Sequence, residues 1–453
     1  MASPLRSLAE IIISAVTTLE TQFSNQGLVH PSLDDPYEPN VLDNEVEVVN
    51  ARRLIVAAAA QLIASVSTPT DLMKECSTAM FTTATLGFAV DTDIADFLGT
   101  AGPKGLHTDQ LAGYTGLDAL HLSRILRFLA TRHIFKETSP NVFTNNRLSS
   151  VLQTSKTSQS SPKGIDLGRR YDTPSFSSFV SVCADESMKA SCHLSDYMKS
   201  PQTKASPFGC AFSPCETTWE WFGKPGNGWR AARFGSAMQN LSDSIPSEIL
   251  LHAADWGSLE PDTTIVDVGG GVGSAASVLY KHSPHLRYVV QDLDAQISAG
   301  TKYWERNAPH ALRGGRVSLQ VHNFFTPQPV KGAGVYLLRH ITHNWHDKQA
   351  EEILRNLRAA ASPNSKLIIL DSLATYTCEV PSSSTQAPYP LLANFGVAGA
   401  GWDTALDIQM LAYFDTRERM EHEFRQLGES TGWKLDVVKP GVLATLVFSA
   451  STT

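Results

Sequence analysis

The run Val266-Asp267-Val268-Gly269-Gly270-Gly271-Val272-Gly273 sets glycines between an apolar stretch and a helical pattern that opens near Ala275. Glycines at a strand-to-helix turn let the backbone turn tightly and let a ligand approach main-chain N–H groups. Asp292 lies 19 residues beyond Gly273, at the end of the next apolar stretch. A carboxylate there can accept hydrogen bonds from both hydroxyls of a ribose. Gly271-x-Gly273-x-x-Ala276 also fits the relaxed dinucleotide fingerprint. Two features favour S-adenosylmethionine over a dinucleotide. Asp267 stands two residues ahead of Gly269, where an acid attracts an ammonium group, and a Gly-x-Gly-x-Gly run begins at that glycine.

The second constellation is Leu337-Leu338-Arg339-His340-Ile341-Thr342-His343-Asn344-Trp345-His346-Asp347. It leaves the carboxyl end of a strand candidate, the edge where ligands bind in doubly wound sheets. His343 falls in the loop and is the best candidate for a general base. His340, His343 and His346 are spaced i, i+3, i+6 across a strand-to-helix turn, with no cysteine or carboxylate cluster beside them. No metal site is expected from that spacing.

These residues need a sheet to hold them. Thr263–Val268, Leu286–Gln291, Val317–His322, Val335–Leu338 and Lys366–Leu370 are short apolar strand candidates, most of them separated by helical patterns. That alternation predicts a parallel sheet covered on both faces. Lys434–Val438 and Ala444–Phe448, joined across Pro440-Gly441, predict a hairpin that ends the sheet with one antiparallel strand. The first half reads as mainly helical. Asp71 is a candidate cap for a helix near Leu72. Leu54–Ser65 is an apolar run of about a dozen residues, too short for a bilayer that needs about 20, and is read as a buried helix. Thr108–Leu111 and Leu117–Leu129 predict two helices, followed by strands at His133–Glu137 and Val142–Asn145: the pattern of a winged helix. Residues 150–165 read as a Ser/Thr/Lys-rich loop.

Composition narrows the class. A hydrophobic share of 42% suits a globular protein with a sizeable core, and the net charge of -8 argues against a nucleic-acid partner. The second winged-helix helix carries Arg124 and Arg127 but no dense basic run, so a DNA-binding regulator is disfavoured. Six scattered cysteines without a Cys-x-x-Cys pair predict a reducing, cytoplasmic setting rather than a disulfide framework. Neither a signal peptide nor a membrane partner is expected.

Taken together, Val266–Gly273, Gln291-Asp292-Leu293, Val321-His322-Asn323-Phe324-Phe325, Leu338–Trp345 and Arg417-Glu418-Arg419 resemble the plant and fungal small-molecule O-methyltransferases of the caffeate and flavonoid type, fungal members above all. The resemblance covers about residues 230–450 well. It implies an α/β chain: a doubly wound class I methyltransferase sheet in the C-terminal half, with an N-terminal, mainly helical winged-helix domain that dimerises. The corresponding boundaries are an N-terminal helix and connector over 1–45, the dimerisation domain over 46–215 and the S-adenosylmethionine domain over 216–453. The resemblance makes His343 the base, flanked and oriented by Asp371 and Glu418. It assigns Asp267, Gly269, Gly271, Gly273, Asp292, Leu293, Asn323, Phe324 and Arg339 to the cofactor. Met238 and Met410 match the methionines that hold an acceptor ring. Asn323 stands where the family carries an Asp toward the adenine amine, and an amide oxygen can still accept that hydrogen bond. Phe414-Asp415-Thr416-Arg417-Glu418-Arg419-Met420 departs from the family's acceptor-lining segment.

The expected function is methyl transfer from S-adenosylmethionine to a phenolic or polyketide-like secondary metabolite, by a homodimer. The alternative is a non-methylating relative that binds the same cofactor and catalyses a pericyclic cyclisation or dehydration, with Arg339, His343 and His133 as donors to the substrate.

Overall fold

Five apolar stretches in the second half become parallel strands because side chains on both of their faces are buried. The protein is described from a computed structural model over residues 3–154, 170–200, 206–212, 216–380 and 387–451. The strands are β4 (Thr264–Val268), β5 (Arg287–Asp292), β6 (Val317–Val321), β7 (Val335–Arg339) and β8 (Lys366–Asp371), followed by β9 (Trp433–Lys439) and β10 (Ala444–Ala450). Alternate residues feed two cores. Ile265, Leu337, Ile368 and Leu370 pack with Ala275, Ala276 and Leu279 of the helix Ser274–His282. Val266, Val268, Leu338, Leu367 and Ile369 pack with Ile353, Leu354 and Leu357 of the helix Asp347–Ala360. Burial on both faces explains why these strands read as unbroken apolar runs.

The sheet order is β6-β5-β4-β7-β8-β10-β9. The order reverses between β4 and β7, and a doubly wound sheet opens its ligand crevice at the carboxyl ends of the strands at that point. β10 runs antiparallel to both β8 and β9. The expectation of an antiparallel strand at the end of the sheet is therefore corrected: β10 inserts between β8 and β9, and β9 takes the edge. Apolar periodicity shows that a hairpin forms, but not which of its arms joins the sheet. Here the more apolar arm, with Leu446 and Phe448 fully buried, takes the inner place.

The chain divides into two compact units, Met1–Leu241 with Tyr376–Gly401, and Ser242–Thr375 with Trp402–Thr453. The first unit holds the winged-helix pattern. Helices Thr108–Thr115 and Ala119–Ala130 precede β2 (Lys136–Ser139) and β3 (Val142–Thr144), and β1 (Leu106–His107) completes a three-stranded sheet of order β1-β3-β2. Leu111, Leu122, Leu126, Leu129, Phe135 and Phe143 are its core. Arg127 is committed within the unit, to Glu137 at 2.9 Å and to Asn141 at 2.8 Å.

Two expectations for the first half are corrected. The cap near Leu72 is Thr68, not Asp71; the helix starts at Pro69, and Asp71 sits in its first turn accepting the Thr68 hydroxyl at 2.6 Å. Pro at the first helical position displaces the start toward the N-terminus. The apolar run 54–65 belongs to a longer helix, α2 (Val46–Val66), that packs on α1 (Pro4–Asn25) through Val48 and Ala51. It is not a buried helix within the chain, because Val49, Val56, Ile63 and Val66 are exposed. Its 21 residues are long and apolar enough to cross a bilayer by length and composition alone. The loop expected over 150–165 lies outside the described residues from 155 on; before it, Ser149–Leu152 form a 3-10 turn. Among the described residues Cys76, Cys183, Cys192, Cys210 and Cys378 are free thiols.

Candidate active site

The glycine turn leaves β4 and enters the helix at Ser274. Gly273 adopts φ +84°, and a Cβ there would stand 2.7 Å from Trp304 Nε1 and 2.9 Å from Val290, so close packing and backbone both demand glycine. Gly271, at φ +60°, differs: a Cβ would meet nothing within 4 Å, so this side of the turn is open. Its N–H donates to Asp292 Oδ2 at 2.8 Å, and Leu293 N–H donates to Asp292 Oδ1 at 2.7 Å. Asp292 thus ties the turn to the end of β5 with one donor on each oxygen, leaving each oxygen a second acceptor position. Burial raises its carboxyl pKa despite these two bonds.

Asp267 lies beneath the turn. It is buried, accepts Ala276 N–H at 3.3 Å, and burial pushes its carboxyl up to about 6, opposed by the charge of Arg339. Arg339 itself donates to the hydroxyls of Ser242 at 2.6 Å and Ser274 at 2.8 Å. The positive charge acting on Asp267 inside the fold is thus a guanidinium of the chain itself. Beyond β6, Asn323 is exposed; its Oδ1 accepts Phe325 N–H at 3.1 Å, which shapes the turn. The Phe324 ring stands edge-on to Trp345 at 5.8 Å between centroids.

His343 follows β7 on the short 3-10 turn Thr342–Asn344 and is buried. Its Nδ1 lies 2.7 Å from Glu418 Oε1. A carboxylate only accepts, so the ring proton sits on Nδ1 and the neutral imidazole carries its lone pair on Nε2. Glu418 reaches the site because its segment lies beside the end of β8, where Leu373 pairs with Arg419 and Ala374 N–H donates to Arg419 O at 3.1 Å. Arg419 clasps the turn from behind, donating to the carbonyls of Thr342 at 2.6 Å and Trp345 at 2.8 Å, and pairs with Asp347 at 2.9 Å. Thr416 donates to the His343 carbonyl at 2.6 Å. Asp371 accepts the Thr342 hydroxyl and acts on His343 through charge. Burial alone would lower the His343 pKa; Asp371 and the Glu418 contact outweigh it, and the net shift is upward. Burial raises the pKa of both carboxyls.

The remaining expected residues are divided between the units. Met410, buried, and Phe414, half-buried, lie on the helix Gly401–Phe414 of the second unit. Met238 and His133 belong to the first unit, His133 at the entrance to the wing with φ +61°. Sequence reasoning missed Thr342, Thr416 and Arg419 as supports of the His343 turn, although all three stood in quoted motifs. Spacing showed no carboxylate cluster beside the histidines; the two acids that the resemblance named, Asp371 and Glu418, lie 28 and 75 residues beyond His343.

Comparison with known proteins decides the family. An O-methyltransferase dimerisation domain matches residues 75–155 and an O-methyltransferase domain matches residues 218–434. An O-methyltransferase of Armillaria gallica is 35% identical, covering 97% of this chain and 96% of that protein. This chain belongs to the O-methyltransferase family. The 4-O-methyltransferase 1 of Phanerochaete chrysosporium is 34% identical over 97% of this chain and 96% of its own. A solved pericyclic reaction enzyme shares the fold, with a TM-score of 0.69 at 21% identity over 97% of this chain and 99% of that one.

S-adenosylmethionine is the cofactor of this family. The residues present fit it: an open glycine turn, a carboxylate at the end of β5 with acceptor capacity to spare, and an exposed amide after β6 suit a ribose and an adenine. In this O-methyltransferase family member the His343–Glu418 contact has a pH consequence. In the role of a base, proposed below, His343 works only when neutral, so activity is expected to fall as pH drops through its pKa, which is raised above the usual value of about 6.5. Replacing Glu418 with Gln removes one of the two charges that raise that pKa, Asp371 being the other. The acid limb of the kcat/KM profile is expected to move to lower pH, with a rate loss of roughly ten- to a hundredfold at the optimum. An unmoved limb would assign Glu418 a purely structural place.

Proposed function

We propose that this chain transfers the methyl group of S-adenosylmethionine to the hydroxyl oxygen of a phenolic or polyketide-like secondary metabolite, with His343 as general base. The observation that carries the proposal is the buried His343–Glu418 pair at the carboxyl edge of β7, in a chain of this family. The bound cofactor supplies an electrophilic methyl. Gly271 and Asp292 hold its ribose end, with Gly269, Gly273 and Leu293 shaping that turn. Asn323 and Phe324 stand at the adenine end, and Asp267 with Arg339 sets the charge beneath.

A phenol has a pKa of about 10 and a histidine about 6.5, so deprotonation before attack is uphill. The raised pKa of His343 narrows that gap. His343 takes the proton at Nε2 as the oxygen attacks, and Glu418 holds the ring in that tautomer while stabilising the imidazolium that forms. Asp371 supplies a second negative charge to the same ring. Met410 and Phe414, on the helix Gly401–Phe414, hold the acceptor from the side of the second unit. The dimerisation-domain match and the exposed apolar residues of α2 support a homodimer. The net charge and the committed Arg127 favour no nucleic-acid partner, and the free thiols suit the cytoplasm.

The second reading keeps the cofactor but catalyses a pericyclic cyclisation or dehydration, with Arg339 and His343 as donors from the second unit. It is supported by the divergent segment Phe414–Met420 and by the fold-level likeness to a pericyclic reaction enzyme. A base paired with a buried carboxylate serves proton removal from a hydroxyl more directly, so methyl transfer is preferred. Transfer of a labelled methyl to a panel of phenols and polyketides tests it: label on oxygen supports the proposal. Cofactor binding with no label moved, together with cyclisation of a polyene substrate, overturns it.

A further inference from the structure

One ring nitrogen of His340, one of His343 and one carboxylate oxygen of Asp371 lie within 4.8 Å of one another. His343 and Asp371 are buried, and the two imidazoles face each other at 5.4 Å between centroids with a 34° tilt. Asp371 gives one oxygen to the Thr342 hydroxyl, while its Oδ1 is buried without a hydrogen-bond partner. A buried acceptor left unmade is costly and marks a place that a cation would satisfy. His340 is fixed in the left-handed region at φ +55°, its N–H bonded to Leu370 O and its carbonyl to Asn344, both at 3.0 Å.

We propose that His340, His343 and Asp371 form a binding site for one divalent transition-metal ion, and that the ion, when bound, takes His343 out of service. Two imidazoles and a carboxylate, with a fourth position open, are a ligand set suited to Zn²⁺. The Glu418 contact on His343 Nδ1 is the carboxylate–histidine arrangement that orients a metal-bound ring. Because Glu418 occupies Nδ1, the nitrogen left to a metal is Nε2, which carries the lone pair a base needs. Metal binding and proton removal therefore exclude each other. The spacing of His340, His343 and His346 did not announce a site because the third ligand comes from β8, and His346 stands exposed outside the cluster. The inhibitory half rests on the methyl-transfer reading; the binding half does not.

The test uses the full-length chain, free of any affinity tag and stripped with a chelator, titrated with Zn²⁺ by calorimetry and with Co²⁺ by visible absorption. The comparison variant is His340→Asn, because asparagine tolerates the left-handed backbone. The wild type is expected to bind one ion at this site and to show the visible band of four-coordinate cobalt. The variant should lose that band, bind Zn²⁺ at least about tenfold more weakly at the site, and keep methyl transfer that Zn²⁺ no longer inhibits. Equal zinc stoichiometry and affinity in the two proteins, or no cobalt band in the wild type, overturns the site. If no acceptor is ever methylated, the binding arms still decide it, so failure of the site and failure of the methyl-transfer reading stay distinguishable.

Discussion

His343→Ala lowers kcat/KM for methyl transfer by roughly a hundred- to ten-thousandfold, the range that a positioned general base supplies, and leaves S-adenosylmethionine affinity within about twofold of wild type. The separation follows from geometry. His343, the proposed base, follows β7 and is braced by Glu418, Thr416 and Arg419, whereas the groups assigned to the cofactor cluster on the turn after β4 and the ends of β5 and β6. Removing the ring leaves Glu418 buried without its partner, a charge the site holds poorly, since burial already raises its pKa. Burial then favours the neutral carboxyl in the variant, and the fold is expected to be retained. His343→Gln, which refills the volume, guards against a loss of activity through misfolding: it should be as inactive as the alanine variant, with an unchanged thermal midpoint. A tenth or more of wild-type turnover in either variant would remove His343 from the chemistry.

Asp292→Ala strikes the other half of the site and is expected to weaken cofactor binding at least about a hundredfold, since hydrogen bonds to a charged group contribute about 1.5–3 kcal/mol each. Two effects add. The acceptor positions proposed for the ribose hydroxyls disappear, and the N–H groups of Gly271 and Leu293 lose the oxygens that hold the turn in place. The loss should appear in equilibrium binding of S-adenosylmethionine, with kcat at saturating cofactor far less affected. Affinity within about threefold of wild type would mean that the turn holds its shape, and the cofactor its ribose, without Asp292.

The two halves of the site were unequally legible in the sequence. The glycine turn and Asp292 could be read directly, because both are set by short-range rules: a tight turn after a strand, and an acid at the end of the next one. His343 could be placed in its loop for the same reason. Its carboxylates could not be found by spacing, since β8 delivers Asp371 and the edge pairing of Arg419 delivers Glu418; only the resemblance to a family named them. The two helices and the hairpin of the winged helix emerged from the pattern, but the first helix runs four residues further, to Thr115, the first wing strand starts three residues later, at Lys136, and β1 gave no signal. The return of Tyr376–Gly401 to the first unit had no signal, because nothing in its composition distinguishes a segment that crosses between units from a long loop. Exposure on α2 was hidden for a related reason: an apolar helix covered by its own chain and one left for another surface have the same sequence pattern.

The most direct test of the central claim is transfer of a labelled methyl from S-adenosylmethionine to a panel of phenols and aromatic polyketides, with cofactor binding measured on the same protein and His343→Gln run in parallel. The account predicts label on a hydroxyl oxygen of at least one acceptor with the wild type, none with the variant, and equal cofactor binding by both. Label transferred equally by both proteins, or tight cofactor binding accompanied by cyclisation of a polyene with no label moved, would contradict it.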